Sequence, residues 1–215
     1  MTDKPERKSA VATRRGDDGT TGLLFGAVRV FKDDPRTEAF GAVDEAISAL
    51  GVARAELGLK AQYGTSPRTL DRLPELILRL QRELFVVAAE LATAPDAADR
   101  QKPGETRVTA AMVDGLDAVL AETEAAVDLP REFVVPGETR LSAYLEMART
   151  IIRRAERRAV ALRRAEPVGD DHLLAYLNRL ADLLWILARA AEQGESRAAT
   201  PSRTGARRGR NAAET

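Results

Sequence analysis

LDRLPELILRLQRELFVVAAEL, residues 70–91, is the stretch whose reading decides the fold. Leu70, Leu73, Ile77, Leu80, Leu84, Val87 and Leu91 return every three or four positions over three heptads, which sets them on one helix face. Pro74 has no amide hydrogen and fits only a first helical turn, so the helix begins close to it. Upstream, Phe40, Val43, Ile47, Leu50 and Leu57 keep the same spacing. Downstream, an Ala-rich segment carries Met112, Leu116, Val119 and Val127, a fourth helix runs from about Leu141 to Glu166, and a fifth from Asp171 to about Gln193. Breaker-rich linkers separate them: GTSP at 64–67, TAPD at 93–96, KPGE at 102–105, VPGE at 135–138 and EPVGDD at 166–171. Strand-like alternation is confined to Gly22–Phe31, and aromatics are scarce, as helix packing allows. The expected fold is all-α, an antiparallel five-helix bundle over residues 13–194. Polar residues 1–12 and the basic stretch 195–215 read as disordered tails.

Composition narrows the chemistry. The 215 residues include no cysteine and one histidine, His172, and 33 Lys+Arg balance 33 Asp+Glu. Disulfides, Cys-ligated zinc or iron–sulfur sites and thiol nucleophiles are excluded. One histidine cannot supply the paired ligands of an HExxH zinc site or of a ferritin-type di-iron bundle. His172 follows two Asp at a helix start and reads as a solvated first-turn residue without a function. No run of about 18 apolar residues is present, so no membrane span is expected. The charged first fifteen residues are no secretory signal, which leaves the cytoplasm as the default compartment. Chemistry then falls to Arg, Lys, carboxylates, amides and backbone, with a cofactor carrying the hard step.

Three constellations stand out. Thr13-Arg14-Arg15-Gly16-Asp17-Asp18-Gly19-Thr20-Thr21-Gly22 combines glycines, hydroxyls and two arginines, suited to wrap a polyanion, though by spacing alone it also reads as a flexible loop. It lacks the GK[ST] ending of a Walker A loop. On the fourth helix seven Arg stand against three Glu, a net charge of +4 in a neutral chain. Arg149, Arg153 and Glu156 share one face with Arg157 alongside, while Arg154 and Arg158 lie on another. That stripe is an anion site, or else a solvated face paired to acids on neighbouring helices. Asp44, Asn178 and Asp182 interrupt apolar helices, and each is either a site group or an interhelical hydrogen bond. Phe133, before VPG, either staples a helix end or serves a pocket.

In this order the signals resemble the cobalamin adenosyltransferases of the propanediol-utilisation (PduO) type. The resemblance rests on TRRGDDGTTGLLFG at 13–26, KDDPRTEAFGAVDEAISALG at 32–51, LQRELFVVAAELAT at 80–93, FVVPG at 133–137, ARTIIRRAERR at 148–158 and YLNRLADLLWILAR at 176–189. It implies a five-helix bundle assembled as a homotrimer, with active sites between subunits. The implied activity is ATP:cob(I)alamin adenosyl transfer: the 5′-deoxyadenosyl group of ATP passes to the cobalt of the reduced corrinoid, giving adenosylcobalamin and triphosphate, with Mg2+ present.

The resemblance also implies roles. Thr13 to Gly22 form the ATP-binding loop, and Lys32 reaches the triphosphate. Arg153, Arg154, Ala155, Glu156 and Arg157 bind ATP from the fourth helix, with Asn178 from the fifth. Asp44 and Arg149 pair across the subunit interface near the corrin, and Phe133 displaces the lower axial ligand of cobalamin. Arg153, Arg149, Asp44 and Phe133 are therefore the expected catalytic set. Three positions depart from the family pattern: Glu138 where a second glycine is usual, Glu146 where histidine is usual, and Arg14 where lysine is usual. Arg14 can still hold phosphate; the two acids bear on how the corrin pocket is built. No nucleic-acid or membrane partner is expected, and a B12-dependent mutase receiving the product is compatible with the activity. The alternative from another class is a non-catalytic helical scaffold or nucleic-acid binder using the Arg-rich helix and the basic tail, recognisable by steeply salt-dependent binding.

Overall fold

The computed structural model describes residues 11–62, 71–166 and 171–202. A short hairpin, β1 (Thr20–Gly22) with β2 (Arg29–Phe31), leads into five α-helices: α1 (Pro35–Gln62), α2 (Leu73–Ala92), α3 (Ala110–Ala126), α4 (Arg140–Ala165) and α5 (Asp171–Gly194). A 3-10 helix at Pro95–Arg100 bridges α2 to α3, and β3 (Val134–Val135) precedes α4. Consecutive helices alternate in direction. Arg140, Arg154 and Arg158 of α4 meet Glu56, Glu45 and Glu38 of α1, a register that runs backwards as an antiparallel pair must. α3 and α5 point the same way and lie side by side, with Arg179 bonded to Asp117 and Gln193 to the backbone of Asp128.

The apolar faces read from spacing are the core. Leu73, Ile77, Leu80, Leu84, Val87 and Leu91 of α2 are buried, as are Val43, Ile47, Leu50 and Leu57 of α1. Helix starts follow local chemistry. α1 begins five residues before the first periodic apolar residue, because Asp34 accepts the backbone N–H of Arg36 at 2.8 Å and Pro35 fits the first turn. α4 starts on a capping box in which Thr139 and Ser142 exchange backbone-to-hydroxyl bonds of 3.0 and 3.1 Å. Buried Arg36 donates to the carbonyls of Leu91 (3.2 Å) and Thr93 (2.9 Å) at the end of α2, and to Glu166 (2.7 Å) beyond α4. One guanidinium thus ties three segments at the hairpin end of the bundle.

The tail expected to lack structure from residue 195 instead has a defined path to Ser202. Thr200–Pro201 form a strand, β4, that pairs antiparallel with β3, and the Ser202 amide donates to the Phe133 carbonyl at 2.7 Å. The cause is an open backbone edge at FVVPG; two-residue strands are too short to show alternation. The rest of that tail (203–215), residues 1–10 of the N-terminal tail and Leu70 lie outside the described residues. Among the described residues no helix is long and apolar enough to cross a membrane.

Tyr176 gives a test of the packing. It is fully buried on α5, and its hydroxyl donates to Glu83 of α2 at 2.7 Å. Burial, with the Glu83 charge adding, raises the phenol well above its usual range. A raised folded-state value means stability present below about pH 10 and lost as pH climbs above it. Tyr176→Phe is expected to cost about 1 kcal/mol at pH 7 and to flatten the alkaline decline. Thermal unfolding of both proteins from pH 7 to 11 checks this; parallel curves above pH 10 would contradict it.

Candidate active site

Residues 13–22 fold back ahead of and into the hairpin. Arg14 and Gly19 hold left-handed backbone, with φ of 58° and 80°, and the glycine meets that demand without strain. Asp18 accepts the Thr20 amide at 3.0 Å and its hydroxyl at 2.8 Å. Those bonds, the backbone one first and with the Arg29 charge adding, hold its carboxyl below the usual carboxylate range. Arg29 donates to Thr20 Oγ1 (2.7 Å), the Thr20 carbonyl (2.8 Å) and the Arg15 carbonyl (2.8 Å). Lys32 Nζ donates to the Gly16 carbonyl at 2.8 Å. A Cβ on Gly16 would sit 3.1 Å from that Nζ, so glycine here lets the lysine lie against the loop. The result is an exposed, cross-braced loop bearing Arg14, Arg15 and Lys32, the charge pattern a polyphosphate takes.

On α4 the arginines divide by face. Arg154 and Arg158 pair with Glu45 and Glu38 of α1, as a solvated salt-bridged surface would. Arg153 and Arg157 are exposed and have no ion-pair partner among the described residues. Beside them Asn178 of α5 donates to Glu156 at 3.4 Å and accepts from Arg179 at 3.4 Å. Glu156 shares this face and is held by Asn178, so Arg153 and Arg157 present guanidiniums, unpaired among the described residues, of the kind that bind anions. Five consecutive helical residues cannot share one face. Ala155 is buried in the core and Arg154 is held by α1, so neither turns its side chain to this stripe.

At the other end of that stripe lies a cavity of about 790 Å³, walled by α3, the 129–136 segment, α4 and α5. It gathers Phe133, Arg149 and Arg153 with Asp182, Trp185 and Ile186. Phe133 is 87% exposed, so it staples no helix end. Arg149 Nε donates to Glu146 at 2.6 Å. A second cavity of about 590 Å³ between α2, α3 and α5 contains none of the candidate site residues read from sequence.

The chain alone leaves two groupings unjoined. Asp44 is exposed on α1, and no ion pair connects it to Arg149. Among the described residues no hydrogen bond or ion pair links the 13–22 loop to α4 or α5.

The family model for cobalamin adenosyltransferase matches residues 11–191. The chain belongs to the cobalamin adenosyltransferase family. A corrinoid adenosyltransferase of Citrobacter freundii is 39% identical over 182 residues, which is 85% of this chain and 94% of the relative. The corrinoid adenosyltransferase of Mycobacterium bovis is 40% identical over 182 residues, 84% of this chain and 88% of the relative. Among solved structures, a variant PduO-type ATP:corrinoid adenosyltransferase from Lactobacillus reuteri, complexed with cobalamin and ATP, aligns with a TM-score of 0.75 at 29% identity. That alignment covers 89% of this chain and 98% of the other.

Sequence reasoning missed the groups beneath the cavity. Arg189 is 1% exposed, meets Glu192 at 2.8 Å and Glu146 at 3.4 Å, and lies 5.8 Å from the Trp185 ring centre. Burial raises the Glu192 carboxyl above its usual range despite that partner. The signal available was Glu146 itself, a departure from the family pattern that the structure turns into the partner of two arginines.

Proposed function

We propose that the chain is an ATP:cob(I)alamin adenosyltransferase, with the 790 Å³ cavity receiving the corrinoid and the Arg153–Arg157–Asn178 stripe, with the 13–22 loop and Lys32, receiving ATP. The observation that carries this reading is the meeting of Phe133, Arg149 and Arg153 at one cavity, with Arg153 making no ion pair among the described residues. Cobalt(I) of the substrate is the nucleophile and attacks C5′ of ATP. The C5′–O5′ bond breaks with its electron pair on oxygen, and triphosphate leaves. No thiol, histidine or serine is needed, which fits a chain without cysteine and with one first-turn histidine.

Charge on the departing oxygen grows as that bond breaks. Preorganised guanidinium donors therefore stabilise the transition state more than bound ATP. Phe133 offers a ring with no coordinating atom; placed beneath the corrin it keeps out both the lower nitrogen ligand and water, and cobalt without a lower ligand accepts an electron more readily. Subunits completing one another's sites, as in a trimer, would join the unlinked loop to the stripe and exposed Asp44 to Arg149. Among the described residues no group of three or more His, Cys, Asp or Glu is placed to hold a metal ion. The donor set therefore offers no protein cage for magnesium, which we place only as the counter-ion arriving on ATP. Cob(I)alamin made with a strong reductant, mixed with ATP, Mg2+ and the protein, is expected to give the adenosylcobalamin spectrum. No product under those conditions would overturn the proposal.

A further inference from the structure

Glu146 lies in α4 one turn before Arg149, buried at 3% exposure in the wall of the 790 Å³ cavity. Its two oxygens do different work. Oε2 accepts from Arg149 Nε at 2.6 Å, and Oε1 faces Arg189 at 3.4 Å. Arg189 in turn holds Glu192 at 2.8 Å, and both are 1% exposed. One carboxylate is thus anchored in the core through Arg189 and grips a partly exposed arginine on its other side. The grip is on Nε. An arginine held there keeps its two terminal nitrogens for another partner, and among the described residues those of Arg149 have none.

We propose that Glu146 is a positioning residue for the corrinoid site. It fixes Arg149 by its Nε edge so that the terminal fork is set at the cavity wall before any partner arrives. The proposal rests on the corrinoid reading above. Preorganisation is the physical gain: a long side chain fixed in advance loses less freedom when the site closes. Glu146 also keeps the buried cluster balanced, two arginines against two glutamates, which is why its two functions need separate variants.

The test uses Trp185, the chain's sole tryptophan, which lines the cavity. Quenching of its fluorescence by cob(II)alamin in the presence of ATP gives a Kd without requiring turnover. Glu146→Gln and Glu146→Asp are each expected to weaken corrinoid binding about tenfold, or about 1.4 kcal/mol, with ATP affinity unchanged within about twofold. Glu146→Asp keeps the charge facing Arg189 but draws the carboxylate back from Nε, so it reports even where Glu146→Gln fails to fold. Adding either change to Arg149→Ala is expected to weaken binding no further. An unchanged Kd in both Glu146 variants, or losses that multiply with that of Arg149→Ala, would overturn the positioning role. A parent protein that binds cob(II)alamin yet forms no adenosylcobalamin would overturn the proposed activity and leave this role standing. A parent whose Trp185 is not quenched would overturn the corrinoid reading and this inference with it.

Discussion

Arg153→Ala is expected to lower kcat for adenosyl transfer by about 10²–10³-fold, the cost of removing one preorganised donor from a developing oxyanion. The fold should not notice. Arg153 is exposed and makes no ion pair among the described residues, so its removal leaves no buried charge and no cavity. Arg158, one turn and a residue further along the same helix, is the internal control. It sits on the other face, paired with Glu38 at 3.5 Å. Exposed pairs of that kind contribute about 0–1 kcal/mol. Arg158→Ala is therefore expected to keep kcat within about threefold, because the effect depends on face and not on net positive charge. Steady-state kinetics with circular dichroism on both variants decides the matter. Equal losses in the two, or full activity in Arg153→Ala, would contradict the assigned role.

Phe133→Ala carries the second large effect. The ring is 87% exposed at the cavity rim, held on a segment braced by β4 and by the Ser202 amide. Losing it costs no core contact, so thermal stability is expected to stay within about 2 °C of the parent, as for surface changes generally. Cobalamin still binds, because the cavity walls remain, but cob(II)alamin keeps its lower ligand and stays five-coordinate. Turnover is expected to fall about a hundredfold, equivalent to about 2.7 kcal/mol of barrier. Electron paramagnetic resonance of cob(II)alamin with ATP separates the two coordination states. An unchanged four-coordinate signal in the variant would contradict the role of the ring.

Much of the architecture was legible because one face of each helix is apolar. The Leu73–Leu91 stripe and its counterpart in α1 need no tertiary information to be recognised, and both lie in the core. The two-residue pairing of Val134–Val135 with Thr200–Pro201 was not legible. Its strands are shorter than the period that would reveal them, and the partner arrives from a stretch whose composition reads as a tail. The start of α1 was missed for a similar reason: an Asp cap and a proline set it, with no apolar residue to mark it.

The site shows the same division. Phe133 lies on the segment before α4, while Arg149 and Arg153 are one turn apart on that helix, and the cavity brings the three together. Spacing placed Arg153 and Arg157 on one face and Arg154 on another, and the ion pairs to α1 follow that split. What spacing could not give was which arginines would find acids, since that depends on Glu38 and Glu45 lying across from one helix face. Nor could it show that Glu146 shares its carboxylate between Arg149 and Arg189, because Arg189 reads as one more residue of an apolar helix.

The central claim is a division of labour: the corrinoid substrate supplies the nucleophile, and the protein supplies the anion site for what leaves. A single-turnover reaction with ATP labelled on its γ-phosphate tests this most directly. Intact triphosphate is expected in one-to-one yield with adenosylcobalamin, and neither phosphate nor ADP accumulates in step with it. Labelled inorganic phosphate or ADP appearing at the rate of ATP loss, without matching adenosylcobalamin, would contradict the account.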